Sequence, residues 1–488
     1  MPRTEQAIDQ EARADTAQTG GRVIWLLLAA AFVAILNETT MGVAIPHLIA
    51  DLGITYRTAQ WLTTAFMLTM AIVIPTTGFL IQRFTTRQVF VAAMILFSTG
   101  TTMAMLAPAW PVLIAARVVQ ASGTAMMLPL LMTTIMMLVP AHRRGAMMGR
   151  VSIVIAFAPA IGPVLSGFVL DVLSWRWIFA IVLPIALTAL AVGARWIRNV
   201  GRTTDAPLDV PSVILSAFGF GGLVFALSQI SGAESGGAAA DVALARLTLA
   251  ISLAVGAVAL VLFVWRQIRL QRDDRALLDL RVFQNTNFAL SMAQFAVMSF
   301  AFFGAITVVP LYLQEVHGLS ALQSGLVVLP GSIAMGLAGP IIGNVYDRWG
   351  TRVLLMPGAV LVTAMLWFYT TLDADTAVPV IVVAQTLLAV GLAMSFTPLS
   401  TAALASLTRN HYSHGSAVLG TVQQVAGAAG VAVMVTVAAA ASGGGGTLTS
   451  DGTQTAFLFS AVAATPLVLG AWLIRKPADD AGPIIAAH

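Results

Sequence analysis

The chain has 488 residues, of which 58% are hydrophobic and only 9% are charged, and its mean hydropathy is +0.89. Soluble globular proteins carry about 25% charged residues, so this composition excludes a soluble protein and indicates one that crosses a membrane many times. The net charge of +4 comes mostly from arginines between the apolar runs, and the absence of cysteine excludes disulfides, thiolate metal sites and thiol catalysis.

Apolar runs of about 20 residues recur along the whole chain, separated by short loops with Arg, Pro or Gly. Their number predicts fourteen membrane-spanning helices, and an even number places both chain ends on one side of the membrane. The predicted spans start near residues 22, 60, 88, 111, 149, 176, 211, 243, 286, 321, 353, 378, 414 and 453.

The basic residues between the runs predict the orientation. With the N-terminus inside, 21 of the 25 Lys and Arg residues fall in inner segments, while Arg57, Arg176 and Arg246 lie outside and Arg117 lies within a span. Because positively charged loops stay in the cytoplasm, we expect a multi-pass protein of a bacterial cytoplasmic membrane with both termini cytoplasmic. The polar residues 1–21 show no signal-peptide cleavage site after the first apolar run and are predicted to be a cytoplasmic tail.

Two stretches of the chain repeat each other. PTTGFLIQRFTTR (75–87) and PIIGNVYDRWGTR (340–352) agree at a proline, a glycine, a threonine and two arginines. Both lie at the inner end of the second span of a block of six, which predicts two six-helix halves related as parallel repeats. The predicted organisation is a tail (1–21), an N-terminal bundle (22–196), a linker with two extra transmembrane helices (197–285), a C-terminal bundle (286–474) and a cytoplasmic tail (475–488). Within the linker, the basic and amphipathic segment 266–283 predicts either a helix on the inner membrane surface or a solvated connection.

The stretch FVAILNETTMGVAIP (32–46) places Glu38 in the middle of an apolar span. A charged side chain there costs about 2.5 to 3.5 kcal/mol on insertion scales, so Glu38 is expected to face an inner cavity and to be functional. Because burial penalises the charged form, this carboxylate suits a group that takes up and releases a proton in each cycle, and a cationic substrate would compete for it. The alternative is a protonated, hydrogen-bonded structural residue.

Several motifs together resemble one family. The inner-loop pattern of the two repeats, RVVQASGTAMMLP in the fourth span, and PAIGPVLSG followed by SWRWIF are similar to the major facilitator superfamily, specifically its fourteen-span drug/proton antiporter branch. LNETT followed by GFLIQRFTTR is further similar to the lincomycin-resistance exporters of that branch. The resemblance covers nearly the whole chain. It implies an all-α membrane protein with the major facilitator fold, two six-helix halves plus two inserted helices, working by alternating access.

The resemblance also implies a polar site. In the family the arginine at Arg117 is tied to proton transfer, and Gln120, one turn later, can join its network; the alternative for Arg117 is an anchor that snorkels to the interface. The family has Asp where this chain has Asn37, which displaces the acid by one residue, or about 100° around the helix. The predicted proton-coupling residues are Glu38 and Arg117, and the predicted substrate or network residues are Asn37, Gln120 and Gln424.

A second set of residues is predicted to act in conformational change. In the family the fifth-span Gly and Pro pattern marks exporters and is linked to sealing the cavity, and the inner-loop arginines can bridge the halves in one state. The family's Asp before the first of these arginines is kept as Asp347 but replaced by Gln82 in the first copy, which predicts a weaker charge contact there. The alternative is that the arginines merely set topology. The predicted conformational residues are Gly78, Arg83, Arg87, Gly162, Pro163, Gly167, Gly343, Asp347, Arg348 and Arg352.

The sequence therefore predicts a proton-coupled multidrug efflux antiporter that exports amphipathic hydrophobic or cationic compounds, with about one proton per cycle because only one carboxylate lies within a span. The only lysine is Lys476, so no phosphate-cradling loop exists, and HExxH and GxSxG motifs are absent. We expect no enzymatic activity, cofactor, metal or nucleic acid; the expected partners are a drug-like small molecule, protons and membrane lipid, and the chain is expected to be a monomer. The alternative function is export of a lipid, envelope precursor or endogenous metabolite without a need for proton coupling. A membrane sensor or embedded enzyme is disfavoured because the loops leave no room for a further domain.

Overall fold

A computed structural model describes residues 2–197, 199–200, 203–204, 207–230, 239–443 and 448–475. Within these ranges the side chains of residues 2–20, 42–43, 56–57, 163, 230, 239–242 and 321 lie outside the description. The prediction for the C-terminal tail (475–488) falls almost wholly outside the described residues.

The described residues form helices and connecting turns, with no strand among them. The α-helices are α1 (Pro2–Leu52), α2 (Tyr56–Arg83), α3 (Thr86–Met105), α4 (Trp110–Leu138), α5 (Arg144–Val172), α6 (Arg176–Trp196), α7 (Val210–Ser216), α8 (Gly222–Ile230), α9 (Ala239–Leu270), α10 (Thr286–Glu315), α11 (Ala321–Trp349), α12 (Arg352–Tyr369), α13 (Val378–Ala405), α14 (Tyr412–Ala441), α15 (Ser450–Ala464) and α16 (Pro466–Leu473).

Fourteen stretches of these helices are long and apolar enough to cross a membrane, which confirms the predicted number. A π-helical turn (Ala217–Gly221) joins α7 and α8 into one span, and α15 with α16 forms another. The spans differ most from their predicted starts at Ala141 and Arg409, predicted at 149 and 414, because a 3₁₀ turn leads directly into α5 and into α14. α1 begins at Pro2 and so continues through the predicted tail, because Ala, Glu, Gln and Arg in residues 2–20 favour helix.

The twelve outer spans pack as two bundles. Helices α1 to α6 contact one another, as do α10 to α16, and two seams join the bundles: α2 packs against α14, and α5 packs against α11. This arrangement confirms the fold class with its two six-helix halves. The residue boundaries proposed for the parts remain a prediction.

The bundles meet at one end of the molecule, where α2 ends and α5 begins; we call this the closed end. The described hydrogen bonds between the bundles include Gln82 with the carbonyl of Asn410, Thr133 with Ser416, and Ser152 with Thr397. Among the described hydrogen bonds between the bundles, the one farthest from the closed end joins α14 to the carbonyl of Met67, which lies about 24 Å along α2 from Arg83. Toward the opposite end, the open end, the structure describes no hydrogen bond between the bundles.

The inserted spans form a hairpin, defined here as α7, α8 and α9 with their connecting π turn. Asp209 caps α7 and forms a bidentate ion pair with Arg266 of α9, with both N–O distances at 2.7 Å. Glycines 222 and 256 let the two legs approach closely, since a Cβ on either would meet the other backbone at 3.0 or 3.1 Å. The hairpin contacts α2 and α14, one helix from each bundle, and so covers the seam between them.

The connection from the hairpin to α10 differs from both predicted forms. The segment 266–283 begins as the last turn of α9 and continues through two 3₁₀ turns, with Leu277, Leu278 and Val282 buried in the core. The apolar residues of this segment are concentrated at 276–283, after the polar run 271–275, and this part packs its leucines inward against the C-terminal bundle. It is therefore neither a separate surface helix nor a solvated linker.

Candidate functional site

A buried polar network joins α1, α3 and α4. The Nη1 of Arg117 donates to Asn37 Oδ1 at 3.1 Å and to Gln120 Oε1 at 2.6 Å, and Gln120 Nε2 donates to Thr101 Oγ1 at 2.8 Å. Arg117 is 1% exposed and the other three side chains are fully buried. The structure thus brings together three predicted residues, and Arg117 does not snorkel to an interface.

Helix periodicity places these groups on common faces. Arg117 and Gln120 are three residues apart on α4, so their side chains lie on one side of the helix and can share a hydrogen bond. The guanidinium carbon of Arg117 lies 4.1 Å from the ring centroid of Phe66 on α2, a cation–π contact. Phe66 and Thr101 were missed by the sequence analysis because a single Phe or Thr in an apolar span is ordinary.

Glu38 lies beside this network and not within it. Its side chain is partly exposed, and the described residues provide no hydrogen bond to its carboxylate, although it interacts electrostatically with Arg117. One residue along α1 is about 100° of rotation, so Asn37 faces Arg117 while Glu38 points to a different side. The displacement of the acid by one position therefore places the carboxylate outside the hydrogen-bonded network.

Two buried donors in the network lack an acceptor among the described residues. They are Arg117 Nε and Asn37 Nδ2, each shielded from solvent. An unpaired donor in an apolar interior costs free energy. A conformation in which an acceptor reaches these two donors is therefore favoured. Glu38 is the carboxylate whose charge reaches Arg117 in this structure.

Gln424 stands apart from the Arg117 network. Its Nε2 donates to the carbonyl of Met67 at 3.5 Å, across the seam between α14 and α2. Met67 follows Phe66, which stacks on Arg117, so the network reaches the C-terminal bundle through these two residues. Gln424 is thus connected to the network indirectly in this structure, and its role as a substrate or network residue stays a prediction.

The C-terminal bundle has a neutral counterpart to Arg117. Arg117 follows Pro111 by six residues on α4, and Gln385 follows Pro379 by six on α13. Gln385 is 8% exposed and its Oε1 accepts a 2.6 Å hydrogen bond from the hydroxyl of Tyr369. The buried cation therefore occurs in only one of the two repeats.

Glycines allow the seam between α5 and α11 to close tightly. A Cβ on Gly145 or Gly149 would run into the backbone of Gly343 or Gly339, and the reverse also holds. Four-residue spacing of small residues on both helices permits such close packing in membranes. On the other seam, a Cβ on Gly78 would approach His414 of α14 at 3.0 Å. Gly78 and Gly343 therefore lie in the two seams, and their part in conformational change stays a prediction.

Asp347 spans the seam between α5 and α11. Its two carboxylate oxygens accept hydrogen bonds from the backbone N–H groups of Gly145 and Ala146, both at 2.8 Å. These N–H groups lie in the first turn of α5, where the helix dipole favours an anion. In the first repeat Gln82 takes the place of Asp347 and makes only a neutral bond, to the carbonyl of Asn410 at 2.7 Å.

The other predicted conformational residues are distributed differently. Arg83 donates to the carbonyl of Thr204 in the linker at 3.1 Å, and Arg352 lies over Trp472 of its own bundle at 5.4 Å. Arg87 and Arg348 are exposed. The bridging of the two halves by these arginines stays a prediction for another state.

The fifth span contacts α1 next to Glu38. A Cβ on Gly162 would collide with Thr39, so this glycine permits the close approach of α5 to α1. Gly167 has no atom within 4 Å of its Cβ position, and the side chain of Pro163 lies outside the description. Of the three, Gly162 is the one placed beside the polar site.

Comparison with known proteins identifies the fold and the class of protein. The profile of the Major Facilitator Superfamily matches residues 27–213 and 211–431, which is most of the chain. The chain belongs to the major facilitator superfamily. It is thus a multi-pass membrane transporter of small molecules and not an enzyme.

Bacterial relatives of this transporter cover nearly its full length. It is 39% identical over 467 residues to "Lincomycin resistance protein LmrB" of Bacillus subtilis, which covers 93% of this chain and 95% of that protein. The "Uncharacterized MFS-type transporter YcnB" of the same organism is also 39% identical, over 460 residues, with the same two coverages. The "Multidrug resistance protein B homolog" of Mycobacterium tuberculosis is 31% identical over 416 residues, covering 85% of this chain and 75% of that one.

Solved structures support the fold. The human organic anion transporter MFSD10 superposes with a TM-score of 0.63 at 14% identity, covering 93% of this chain and 99% of that one. The transporter FucP in its outward conformation gives a TM-score of 0.61 at 13% identity, again covering 93% and 99%. At such low identity these similarities establish the architecture alone.

Proposed function

We propose that this transporter is a proton-coupled multidrug efflux antiporter of a bacterial cytoplasmic membrane. The observation that supports this function best is the buried Arg117 network with Glu38 beside it, partly exposed and without a hydrogen bond. A carboxylate next to a fixed cation can lose its proton in one conformation and regain it in another, and this difference is what couples two fluxes.

The unpaired donors suggest how the proton is released. When Glu38 is protonated, Arg117 is held by Asn37, Gln120 and the Phe66 ring. When Glu38 loses its proton, its charge is attracted to Arg117, and the carboxylate can accept hydrogen bonds from the unpaired Nε and from Asn37 Nδ2. A cationic substrate would compete with Arg117 for the same carboxylate, so that proton and substrate bind alternately.

The closed end supports alternating access and an orientation. If the N-terminus is cytoplasmic, the closed end faces the cytoplasm and the site is reached from outside. Exposed tryptophans pair with arginines near this end, as Trp25 does with Arg150, a pattern typical of helix ends at a membrane interface. We propose that the bundles rock about the site, opening the two seams while the opposite end closes.

The proposed substrates are amphipathic hydrophobic or cationic compounds. The relatives named for lincomycin or multidrug resistance support a drug-like cargo. In the C-terminal bundle, Phe302 contacts Phe303 and Phe396 with ring centroids 5.0 and 5.8 Å apart, and all three rings are partly exposed. Such edge-to-face rings offer apolar and cation–π contacts without demanding one ligand shape.

The experiment measures whether an imposed pH gradient drives accumulation of a lipophilic cationic dye in proteoliposomes. The wild-type protein is compared with Glu38→Gln and with the control Glu315→Gln, whose carboxylate is exposed at the end of α10. We expect uptake in the wild type and the control and its loss in Glu38→Gln. Equal uptake by Glu38→Gln at every pH would reject Glu38 as the coupling group.

A second candidate function is export of a lipid, envelope precursor or endogenous metabolite. The partly exposed aromatic rings accept an acyl chain as readily as a drug, which keeps this function open. Absence of dye uptake in all variants, together with movement of a labelled lipid between the leaflets, would favour it over drug efflux.

A further inference from the structure

The inserted hairpin touches both bundles, so alternating access requires it to part from at least one of them. Its two connections to the bundles have different strengths. One is the segment before α7, of which residues 199–200, 203–204 and 207–209 are described, and the other is the segment from Gln271 to Asn285, which leads into the C-terminal bundle.

The connection to the N-terminal bundle is largely exposed. Thr204 donates its N–H to the carbonyl of Gln82 at 2.9 Å and accepts a bond from Arg83 at 3.1 Å. Nearer the bundle, Asn199 Oδ1 accepts from the N–H of Thr86 at 3.0 Å. Residues 203, 204, 207 and 208 are exposed, so water can replace each bond that they make.

The connection to the C-terminal bundle is centred on Asp279, which is 4% exposed. Its carboxylate accepts from Arg281 Nε at 2.9 Å and lies 3.3 Å from His411 Nε2, at the turn before α14. Its backbone N–H donates to Nδ1 of the buried His414 at 3.3 Å. Burial alone would raise the pKa of Asp279, but the hydrogen bonds from His411 and Arg281 outweigh it and hold that pKa below the usual range.

Further buried contacts tie the same segment to the hairpin on one side and to α10 on the other. Gln267 of α9 is fully buried, and its Oε1 accepts from the N–H of Leu278. Asn285 caps α10 through Phe288 and donates to the carbonyl of Ser406 at 2.8 Å. Separating the hairpin from the C-terminal bundle would therefore expose the buried carboxylate of Asp279 and break its contacts with His411 and His414.

The hairpin meets α2 through apolar contacts within the membrane. The rings of Trp61 and Phe225 lie 5.8 Å apart, and Gly221 packs against Ile72 and Leu68. Lipid chains replace such contacts with little loss, because they are as apolar as the side chains that they displace. This surface allows sliding, whereas the directional bonds around Asp279 do not.

We propose that the inserted hairpin moves as part of the C-terminal bundle, held by Asp279 and its partners, and that α2 slides along it when the closed end opens. The proposal rests on the rocking of two bundles in the proposed function, but not on the identity of the substrate. Its test therefore measures distances and needs no transport.

Spin labels on the naturally cysteine-free chain give the test. Arg272 beside the hairpin, Arg195 at the end of α6 and Arg475 after α16 are exposed at the closed end, and each is replaced by Cys in pairs. The closed end is held open by Gly149→Leu, because a side chain there would run into Gly339. Distances are compared with and without this wedge in lipid nanodiscs.

We expect the wedge to lengthen the 195–475 and 195–272 distances and to leave the 272–475 distance unchanged. If the 272–475 distance changes while the 195–272 distance stays constant, the hairpin moves with the N-terminal bundle. If the 272–475 and 195–272 distances both change, the hairpin moves independently of either bundle. Either result overturns the proposal. A constant 195–475 distance would also overturn it, since the glycine seam would then not hold the closed end.

A second variant tests the role of the anchor itself. Asp279→Ala should broaden the 272–475 distance distribution, whereas Thr204→Ala, which retains the backbone hydrogen bonds of this exposed residue, should leave the distribution as in the wild type. An unchanged distribution in Asp279→Ala would reject the buried cluster as the element that holds the hairpin.

Discussion

At the scale of single residues, the site combines a prediction from the sequence with geometry that only the structure shows. Glu38 and Arg117 stand out because charged side chains within apolar spans are rare. Their separation into a buried network and a carboxylate beside it depends on helix rotation and on packing between α1, α3 and α4. Sequence patterns predicted neither Phe66 nor Thr101, since their residue types carry no signal until the fold brings them to Arg117.

Asn37→Asp tests whether the position of the acid matters. An aspartate there would accept the hydrogen bond that Arg117 now gives to Asn37, and charge-assisted bonds are about twice as strong as neutral ones. We expect a higher melting temperature. In the double variant Asn37→Asp/Glu38→Gln we expect no dye uptake under a pH gradient, because the new carboxylate would stay paired with Arg117. Restored uptake would contradict a specific role for residue 38.

Phe66→Leu tests the cation–π contact. Losing the ring under a desolvated guanidinium should lower the free energy of unfolding by about 2 kcal/mol, in addition to the ordinary change of apolar volume. Phe97→Leu on α3 is the control, since Phe97 is equally buried and has no described cation contact. Thermal unfolding in detergent compares the two, and equal losses would argue that Phe66 acts by packing alone.

At the scale of helices and seams, the repeat in the sequence predicted which segments correspond, but not which groups Asp347 contacts. The replacement of Asp by Gln82 predicted a weaker contact in the first repeat. In the structure, the Asp347 carboxylate accepts hydrogen bonds from the first turn of α5, whereas Gln82 makes a neutral hydrogen bond. The partner of Asp347 is a backbone, and a backbone N–H leaves no trace in residue types.

Asp347→Ala tests this contact. It leaves the N–H groups of Gly145 and Ala146 without their acceptor, which should weaken the closed end by about 1 to 3 kcal/mol. We expect Thr397→Cys, which is 2% exposed in the closed end, to react with a maleimide about 5 to 150 times faster in this background, the factor that corresponds to this free energy. Asp171→Ala, at the open end of α5, is the control and should leave the rate unchanged. Equal rates in both backgrounds would show that Asp347 does not hold the closed end.

Asp209→Asn tests the ion pair at the base of the hairpin through its pH dependence. Hydrogen bonds from Arg266 lower the pKa of Asp209 to about 2, outweighing the opposite effect of burial. Because the pKa of Asp209 is lower in the folded state, its ionised carboxylate stabilises the folded state fully at pH values above its unfolded-state pKa of about 3.9. This stabilisation is lost as the pH falls toward 2. The variant should therefore melt lower by the same amount at pH 5 and pH 8, with a loss of about 1 kcal/mol because the pair is partly solvated. If the difference in melting temperature between the wild type and the variant grew from pH 5 to pH 8, a group other than Asp209 would be responsible for the pH dependence.

At the scale of the whole molecule, composition and periodicity predicted the fourteen spans, because hydrocarbon imposes both length and apolarity on every crossing, and the internal repeat predicted the two halves. They could not predict that the linker before α10 is buried. Its alternating leucines and charges fit a surface helix equally well until Asp279 is seen to meet His411 and His414. The burial of this segment depends on contacts with residues that are distant in the sequence.

The asymmetry of the repeats predicts a limit on the cargo. One partly exposed carboxylate in the N-terminal bundle and the neutral Gln385 in the other suit exchange of one proton for one monovalent cation. Such exchange moves no net charge, so dye export at a fixed pH gradient should not respond to membrane potential, and a divalent dye of similar size should be a poor substrate. Electrogenic export of the divalent dye at the monovalent rate would contradict a single coupling carboxylate.

The hairpin also gives the transporter two unlike flanks within the bilayer. It covers the seam between α2 and α14, whereas the seam between α5 and α11 lacks such a cover among the described residues. A compound dissolved in the membrane and diffusing sideways therefore meets the boundary of the two bundles directly on one flank only. For a lipophilic cargo that reaches the site from the bilayer, we therefore expect entry from the α5–α11 flank, with the lipids of that flank as its immediate source.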